Sequence, residues 1–327
     1  MPEYSGKRIY SVILPVFLLL SVLLLAGCSD NTPPAKATGT ITEFRLPTNA
    51  SSPDGIVAGP DGNVWFTEKI GNKIGRVTPQ GTITEFPLPT ANSLPSGITA
   101  GSDGNVWFTE LEGKIGRITP QGAVTEFALP TPNVLPGGIT KGPDGTIWFS
   151  ELGGNIGRIT PDGKITESPL MATPVVAEGL AAGPDGALWF TDSATGNIGR
   201  AMPGGTATEF PLPTPTTFPL GITAGSDGNL WFAQNSSNQI GRITPQGKVS
   251  QFSLPTQKCG VMGMAAGTGG IWFTEFAGNK IGTITTSGSI TEFSVSGSPK
   301  GITAGPGGTI WFTEFVGNQI GRLTPGK

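Results

Sequence analysis

The chain contains no histidine and only two cysteines, Cys28 and Cys259, among its 327 residues. It therefore lacks the side chain whose ordinary pKa suits acid–base work at neutral pH. Zinc sites built on imidazole are excluded on the same ground. Charge is scarce as well: Asp, Glu, Lys and Arg make up 13% of the chain, and the formal net charge is −3. No basic footprint exists, which argues against nucleic acid as a partner. What the chain has in excess is glycine, 51 residues, and proline, 30 residues. They recur at fixed intervals between apolar runs, so they punctuate an ordered β fold rather than mark disorder.

Lys7 and Arg8 precede a mostly apolar stretch, Ile9–Ala26, that runs into Leu25-Ala26-Gly27-Cys28. A positive region, an apolar core and small residues at the end predict a secretory signal over 1–27. A spanning anchor is the competing reading for a stretch of this length; Pro15, Ser21 and the terminal Ala-Gly-Cys count against it. Leu-Ala-Gly-Cys resembles the lipobox of bacterial lipoproteins. The resemblance implies an acylated Cys28, a membrane partner through that lipid, and a place in the cell envelope. Ser29 after the cysteine implies the outer membrane if the cell is Gram-negative. Residues 28–39 read as a flexible tether, with a reach of roughly 35–40 Å when extended. With Cys28 lipidated no internal disulfide can form, and Cys259 is expected to pack as a small buried hydrophobe.

Repetition decides the fold class. The seven tryptophans, Trp65, Trp107, Trp148, Trp189, Trp231, Trp272 and Trp311, are spaced by 42, 41, 41, 42, 41 and 39 residues, and most open a Trp-Phe-Thr-Glu phrase. One unit parses into strands at Gly97–Ala100, Asn105–Glu110, Lys114–Thr119 and Ala123–Leu129. Asp-Gly between apolar runs marks hairpins. The second strand is apolar on both faces, which requires sheets stacked against sheets. Four strands per unit of about 41 residues predict an all-β, seven-bladed β-propeller of four-stranded antiparallel blades. The last unit stops before its fourth strand, and Gly39–Thr48 matches Gly81–Thr90 at nine of ten positions. The N-terminal strand therefore completes blade seven and protects its edge; the propeller spans 40–327. A monomer is expected.

The repeat Gly-Ile-Thr-x-Gly-x-Asp-Gly-x-x-Trp-Phe-Thr-Glu … Gly-Asn-x-Ile-Gly-Arg-Ile-Thr … Ile-Thr-Glu-Phe-x-Leu-Pro resembles the virginiamycin B lyase (streptogramin B lyase) family across residues 40–327. WD40 repeats match less well, since no Gly-His or Trp-Asp pair occurs at the repeat positions. The family resemblance implies a Mg²⁺-dependent elimination that opens a cyclic depsipeptide at its ester bond. Such chemistry needs a base and a cation. The family's catalytic histidine lies in a Pro-His-Gly-Ile phrase, which here reads Pro299-Lys300-Gly301-Ile302. Its second histidine and its tyrosine correspond to Met262 and Asp54. One metal-binding glutamate corresponds to Ser298; for the other, Glu314 stands one position short. The lyase machinery is thus missing from the family scaffold, although Lys300, Asp54 or Glu178 could stand in as a base.

Comparison of the repeats with one another separates scaffold from site. Arg76, Arg117, Arg158, Arg200, Arg242 and Arg322 recur, facing Glu85, Glu126, Glu167, Glu209, Gln251 and Glu43 on the neighbouring strand; the expectation is a cross-strand charge pair, with Thr283 against Glu292 in blade six. The second strands end in Glu68, Glu110, Glu151, Asp192, Gln234, Glu275 and Glu314, expected to be structural or solvated. A metal role would need several of them to converge, Glu275 and Glu314 being the candidates. The residue before each first-strand glycine varies instead: Asp54, Ser96, Gly137, Glu178, Leu220, Met262 and Lys300. By the resemblance this ring faces the mouth of the central funnel. Leu220, Met262 and nearby Phe218 form an apolar arc opposite the polar Asp54, Lys300 and Glu178, as a small-molecule site requires. Three functions compete: a tethered module binding a small molecule, a divergent lyase or other enzyme in the same funnel, and an envelope module binding a protein.

Overall fold

Short β-prone runs alternate with Gly-, Pro- and Asn-rich turns along the whole repeat, and the described residues fold into seven four-stranded antiparallel sheets. The computed structural model describes residues 38–170, 175–202, 207–214 and 217–326. The expected signal 1–27, Cys28 and the tether to residue 37 lie outside them. Blade 1 is built from Pro53–Ala58, Val64–Glu68, Lys73–Val77 and Ile83–Pro87, in that order from the axis outward. Each inner strand packs beside the inner strands of both neighbouring blades, and the ring closes between Pro299–Ala304 and Pro53–Ala58. In blade 7 the outermost strand is Gly39–Arg45, paired with Gln319–Pro325 from Gly39 opposite Pro325 to Arg45 opposite Gln319. The chain is an all-β, seven-bladed propeller closed by its N-terminal strand.

The second strands are buried throughout, which is why they are apolar on both faces. Trp65 and five of its equivalents stack on the aromatic ring of the outer strand, Trp65 on Phe86 at 5.6 Å, whereas blade 3 has Ser168 where the others have phenylalanine. The indole N–H is tied down by the Asp-Gly turn that precedes it, Trp65 Nε1 donating to Asp61 Oδ1 at 3.0 Å. Gly62 takes a positive φ of 78° there, which glycine adopts without a Cβ clash. On the other face Phe66 lies over Gly75, whose Cβ, were it present, would sit 2.1 Å from the ring. The recurrent Ile-Gly-Arg of the third strand is thus a packing requirement.

The expected Arg–Glu cross-strand pairs do not form. Register puts Arg76 opposite Thr84 and Gly75 opposite Glu85, so the two charges point to opposite faces. Arg76 instead lies against Trp65 and Phe86, each ring centre 5.4 Å away. Its Nη1 donates to the Pro120 carbonyl of the next blade at 2.8 Å. Arg117 and Arg322 repeat this, reaching Pro161 and Pro79. Arg158 and Arg200 pair with Asp144 and Asp185 of their own turns. Thr283 likewise faces Thr291 rather than Glu292. Glu85 takes a different partner set: Lys73 Nζ at 2.6 Å, and the N–H and hydroxyl of Thr48 at 2.9 and 2.6 Å. That joins the Leu-Pro-Thr turn leaving one blade to the outer strand of the next.

Candidate functional site

Every inner strand carries a β-bulge at the same place. Pro53 lies opposite Glu68 and Ile56 opposite Phe66, so Asp54 and Gly55 together face the single residue Thr67. A bulge of this kind re-aims a side chain out of the regular alternation. The ring residues Asp54, Ser96, Gly137, Glu178, Leu220, Met262 and Lys300 all occupy this bulge.

The glycine that follows is dictated by a close approach between blades. A Cβ on Gly55 would meet the Ser96 carbonyl at 2.5 Å, and one on Gly301 would meet that of Asp54 at 2.5 Å. Thr67 completes the joint: its hydroxyl accepts from Gly55 N–H at 2.9 Å and donates to the Ser96 carbonyl at 2.8 Å. Thr313 does the same between Gly301 and Asp54, across the closure of the ring. Blade 5 has Ala233 at this position and makes no such side-chain bond.

At the closure the ring is charged. Lys300 Nζ lies 2.7 Å from Asp54 Oδ1 and Lys69 Nζ 3.7 Å from Asp54 Oδ2. Ser96 donates to Asp54 Oδ2 at 3.3 Å, and Lys300 sits 5.0 Å over the ring of Phe315. Burial alone would raise the Asp54 pKa, but the two ammonium groups outweigh it and hold the carboxyl below its usual range. Lys69 is lowered by its own burial and by Lys300, against the pull of Asp54. Glu178 belongs to blade 4, yet its charge interacts with Lys300, Lys69 and Asp54. Burial, with Asp54 adding to it, pushes Glu178 up to about 7 despite the two lysines and the Ser193 side chain, which pull it down.

Leu220 and Met262 are half-buried at their bulges, as is Phe218. Phe218 holds a φ of 50°, a strained conformation for a bulky residue. Its carbonyl accepts from Asn235 N–H at 3.3 Å, which fixes the following hairpin. Gly137 leaves the ring without a side chain between Ser96 and Glu178.

The acidic ends of the second strands are not solvated. Glu68, Glu110, Glu275 and Glu314 are 0% exposed. Glu314 accepts from Ser296 and Gly297 and interacts with Glu43. Glu275 is pushed up to about 9 by burial and by Glu292. The two metal candidates thus sit against different acids, Glu292 and Glu43. Among the described residues no group of three or more His, Cys, Asp or Glu is placed to hold a metal ion. At the ring itself an ammonium group occupies the space beside Asp54, so these residues do not fit Mg²⁺. Cys259 is buried, its Sγ 2.8 Å from Asn238 Oδ1.

Four site residues escape the sequence reading: Lys69, Ser193, Phe276 and Phe315. They share one repeat position, directly after the acidic end of the second strand, where the series runs Lys69, Leu111, Leu152, Ser193, Asn235, Phe276 and Phe315. That variability was the available signal. Phe276 and Phe315 pack at 6.1 Å, tilted by 56°, and extend the apolar arc toward Lys300.

Comparison with known proteins bears on this site. The family model described as the virginiamycin B lyase family matches residues 33–178 and 171–327. The crystal structure of virginiamycin B lyase from Staphylococcus aureus is similar at 42% identity and a TM-score of 0.83, covering 88% of this chain and 99% of that one. A streptogramin B lyase structure is similar at 39% identity and a TM-score of 0.84, covering 88% and 98%. A third, at 42% identity, a TM-score of 0.83 and coverage of 88% and 99%, is a catalytically inactive histidine-to-alanine variant of the S. aureus enzyme with quinupristin.

Proposed function

Because this chain belongs to the virginiamycin B lyase family yet contains no histidine, we propose that it is a binding propeller without the family's ring-opening activity. The observation that carries this reading is the Lys300–Asp54 pair. Lys300 stands where the resemblance places the catalytic histidine, and its ammonium is engaged at 2.7 Å by a buried carboxylate. The Lys300 side chain is thus committed to an ion pair across the ring closure instead of being presented to a substrate as the histidine would be. In the relative, loss of one histidine accompanies loss of activity. The ligand is a small amphipathic molecule. Its apolar part lies on Leu220, Met262, Phe218, Phe276 and Phe315, and its polar part meets Lys69, Lys300, Asp54 and Glu178.

Incubation of the purified protein with quinupristin and Mg²⁺, followed by chromatography, gives no linearised product if this reading holds. Linearisation above the buffer rate overturns it. One observation favours a second reading: Glu178, pushed up to about 7, is matched to general-base work near neutral pH. If turnover appears, Glu178→Gln lowers it by about 10²-fold or more under that reading.

The protein is also proposed to be an exported lipoprotein, anchored through Cys28 and presenting the funnel within the cell envelope. The Leu25-Ala26-Gly27-Cys28 phrase supports this. Cys28→Ala shifts the protein from the membrane to the soluble fraction, and mass spectrometry of the wild type finds a lipid-modified N-terminal Cys28. An unmodified N-terminus counts against anchoring.

A further inference from the structure

The acidic residues buried at the ends of the second strands each face a side chain of their own blade's outer strand, and the seven blades neutralise this contact in different ways. In blades 1, 2 and 6 a lysine begins the third strand: Lys73, Lys114 and Lys280 bond to the outer-strand acids Glu85, Glu126 and Glu292, while burial and those acids raise Glu68 and Glu110 to about 7 and Glu275 to about 9. In blade 5 both acids are replaced, and Gln251 Nε2 donates to Gln234 Oε1 at 3.0 Å. Blades 3, 4 and 7 keep two acids, Glu151 with Glu167, Asp192 with Glu209 and Glu314 with Glu43, but carry Asn155, Asn197 and Gln319 where the lysine would be; in blade 7 the Ser296 and Gly297 N–H groups also donate to Glu314.

The asparagines satisfy only part of each pair. Asn155 donates to Glu151 Oε2 at 3.0 Å and Asn197 to Glu209 Oε2 at 3.1 Å. The partner acids are otherwise occupied. Glu167 accepts from the N–H and hydroxyl of Thr131. Asp192 accepts from Val176 N–H, Ala194 N–H and the Thr195 hydroxyl at 3.0, 3.0 and 2.6 Å. One buried oxygen on each pair is left over: Glu151 Oε1 and Glu209 Oε1. In blade 5 the amide N–H of Gln251 fills the corresponding gap.

We propose that in blades 3 and 4 a single proton shared between the two carboxyl groups takes the place of that N–H, and that its loss as pH rises loosens the funnel wall bearing Glu178. Leaving an acceptor buried and unbonded is costly, and two carboxylates in one site do not both ionise readily. Burial first, and the neighbouring acid with it, raises Glu151 to about 7 and raises Glu209 above its ordinary value. Among the described residues, Glu167 is the charged group acting on Glu151, and Asp192 the one acting on Glu209. The link to the funnel is short. Asp192 accepts from the Val176 N–H at 3.0 Å, Ser193 donates to the Val176 carbonyl at 3.4 Å, and Glu178 follows two residues on, in the inner strand Ala177–Ala182.

The direction follows from linkage. With folded-state values above the ordinary 4.5, the native protein binds more protons than the unfolded chain between that value and about 7. Stability from these pairs is complete below the window and is lost as pH rises through it. Glutamine mimics the protonated acid, as blade 5 already does.

The test compares the full chain with its E151Q/E209Q variant. Between pH 5 and pH 8 the fall in Tm is smaller by roughly 5 °C in the variant. Carbon-13 NMR of the wild type shows the Glu151 and Glu209 carboxyl groups titrating well above the ordinary glutamate range. Parallel Tm curves, or carboxyl groups titrating at ordinary values, overturn the proposal. The NMR measurement decides it even if the variant does not fold.

Discussion

A chain beginning at Pro47 fails to show a cooperative unfolding transition, whereas one beginning at Thr38, the reference, shows it. The difference is the strand Gly39–Arg45 and Leu46. Without them Gln319–Pro325 loses its partner along seven paired positions and becomes an open edge. Phe44 no longer stacks on Trp311, 5.7 Å away, and the buried Leu46 leaves its cluster with Ile56, Trp311 and Ile320. Truncating a buried Leu costs about 2–5 kcal/mol, and loss of the half-buried Phe44 and of the strand's ladder adds to it. Together these approach the whole stability of a typical domain, about 5–15 kcal/mol. Circular dichroism on heating and size-exclusion chromatography read the outcome. A synthetic peptide of residues 38–46 restores the transition. Equal midpoints for the two chains would show that the ring does not depend on this strand.

The second large effect is expected at the funnel. Lys300→Met leaves Asp54, 6% exposed, with Lys69 at 3.7 Å as its remaining counter-charge. Breaking a buried ion pair from one side costs about 3–5 kcal/mol. The lower end applies, because Lys69 remains and the Lys300 side chain is 26% exposed. Asp54→Asn in the same chain recovers most of the loss, since no uncompensated charge is left buried. Urea denaturation of the two single variants and the double variant gives the coupling between them. Additive losses would mean that the pair is not an energetic unit. The pH profile adds a check on sign. The lowered Asp54 pKa contributes stability above the ordinary value of 3.8, and this is lost as pH falls below it.

Much of the scaffold was legible because each blade repeats one physical solution. Trp65 and its six equivalents, the Asp-Gly turns and the strand lengths are fixed locally, and the copy at Gly39–Thr48 exposes the closure. The ring residues were legible for the complementary reason: Asp54, Glu178, Leu220, Met262 and Lys300 differ where the rest repeats. One reading failed on geometry. Arg76 and Glu85 stand close along the ladder, but a register of one residue puts them on opposite faces. For Glu275 and Glu314 the residue pattern leaves a structural and a solvated role open, and full burial leaves the structural one. Lys69 is not legible in the sequence because its link to Asp54 depends on the bulge, which sequence spacing does not reveal.

By itself, then, the sequence determined the number of blades, the strand that closes them and the absence of histidine chemistry, because these rest on local pattern and on residue inventory. Only the tertiary structure decided which charges meet. The bulged inner strands bring Asp54, Lys69 and Lys300 together across the closure, and set the charge of Glu178 in blade 4 against them. It also decided which acids lose water and must share a proton. Both outcomes depend on burial and on distances between blades, and neither quantity is carried by any one repeat.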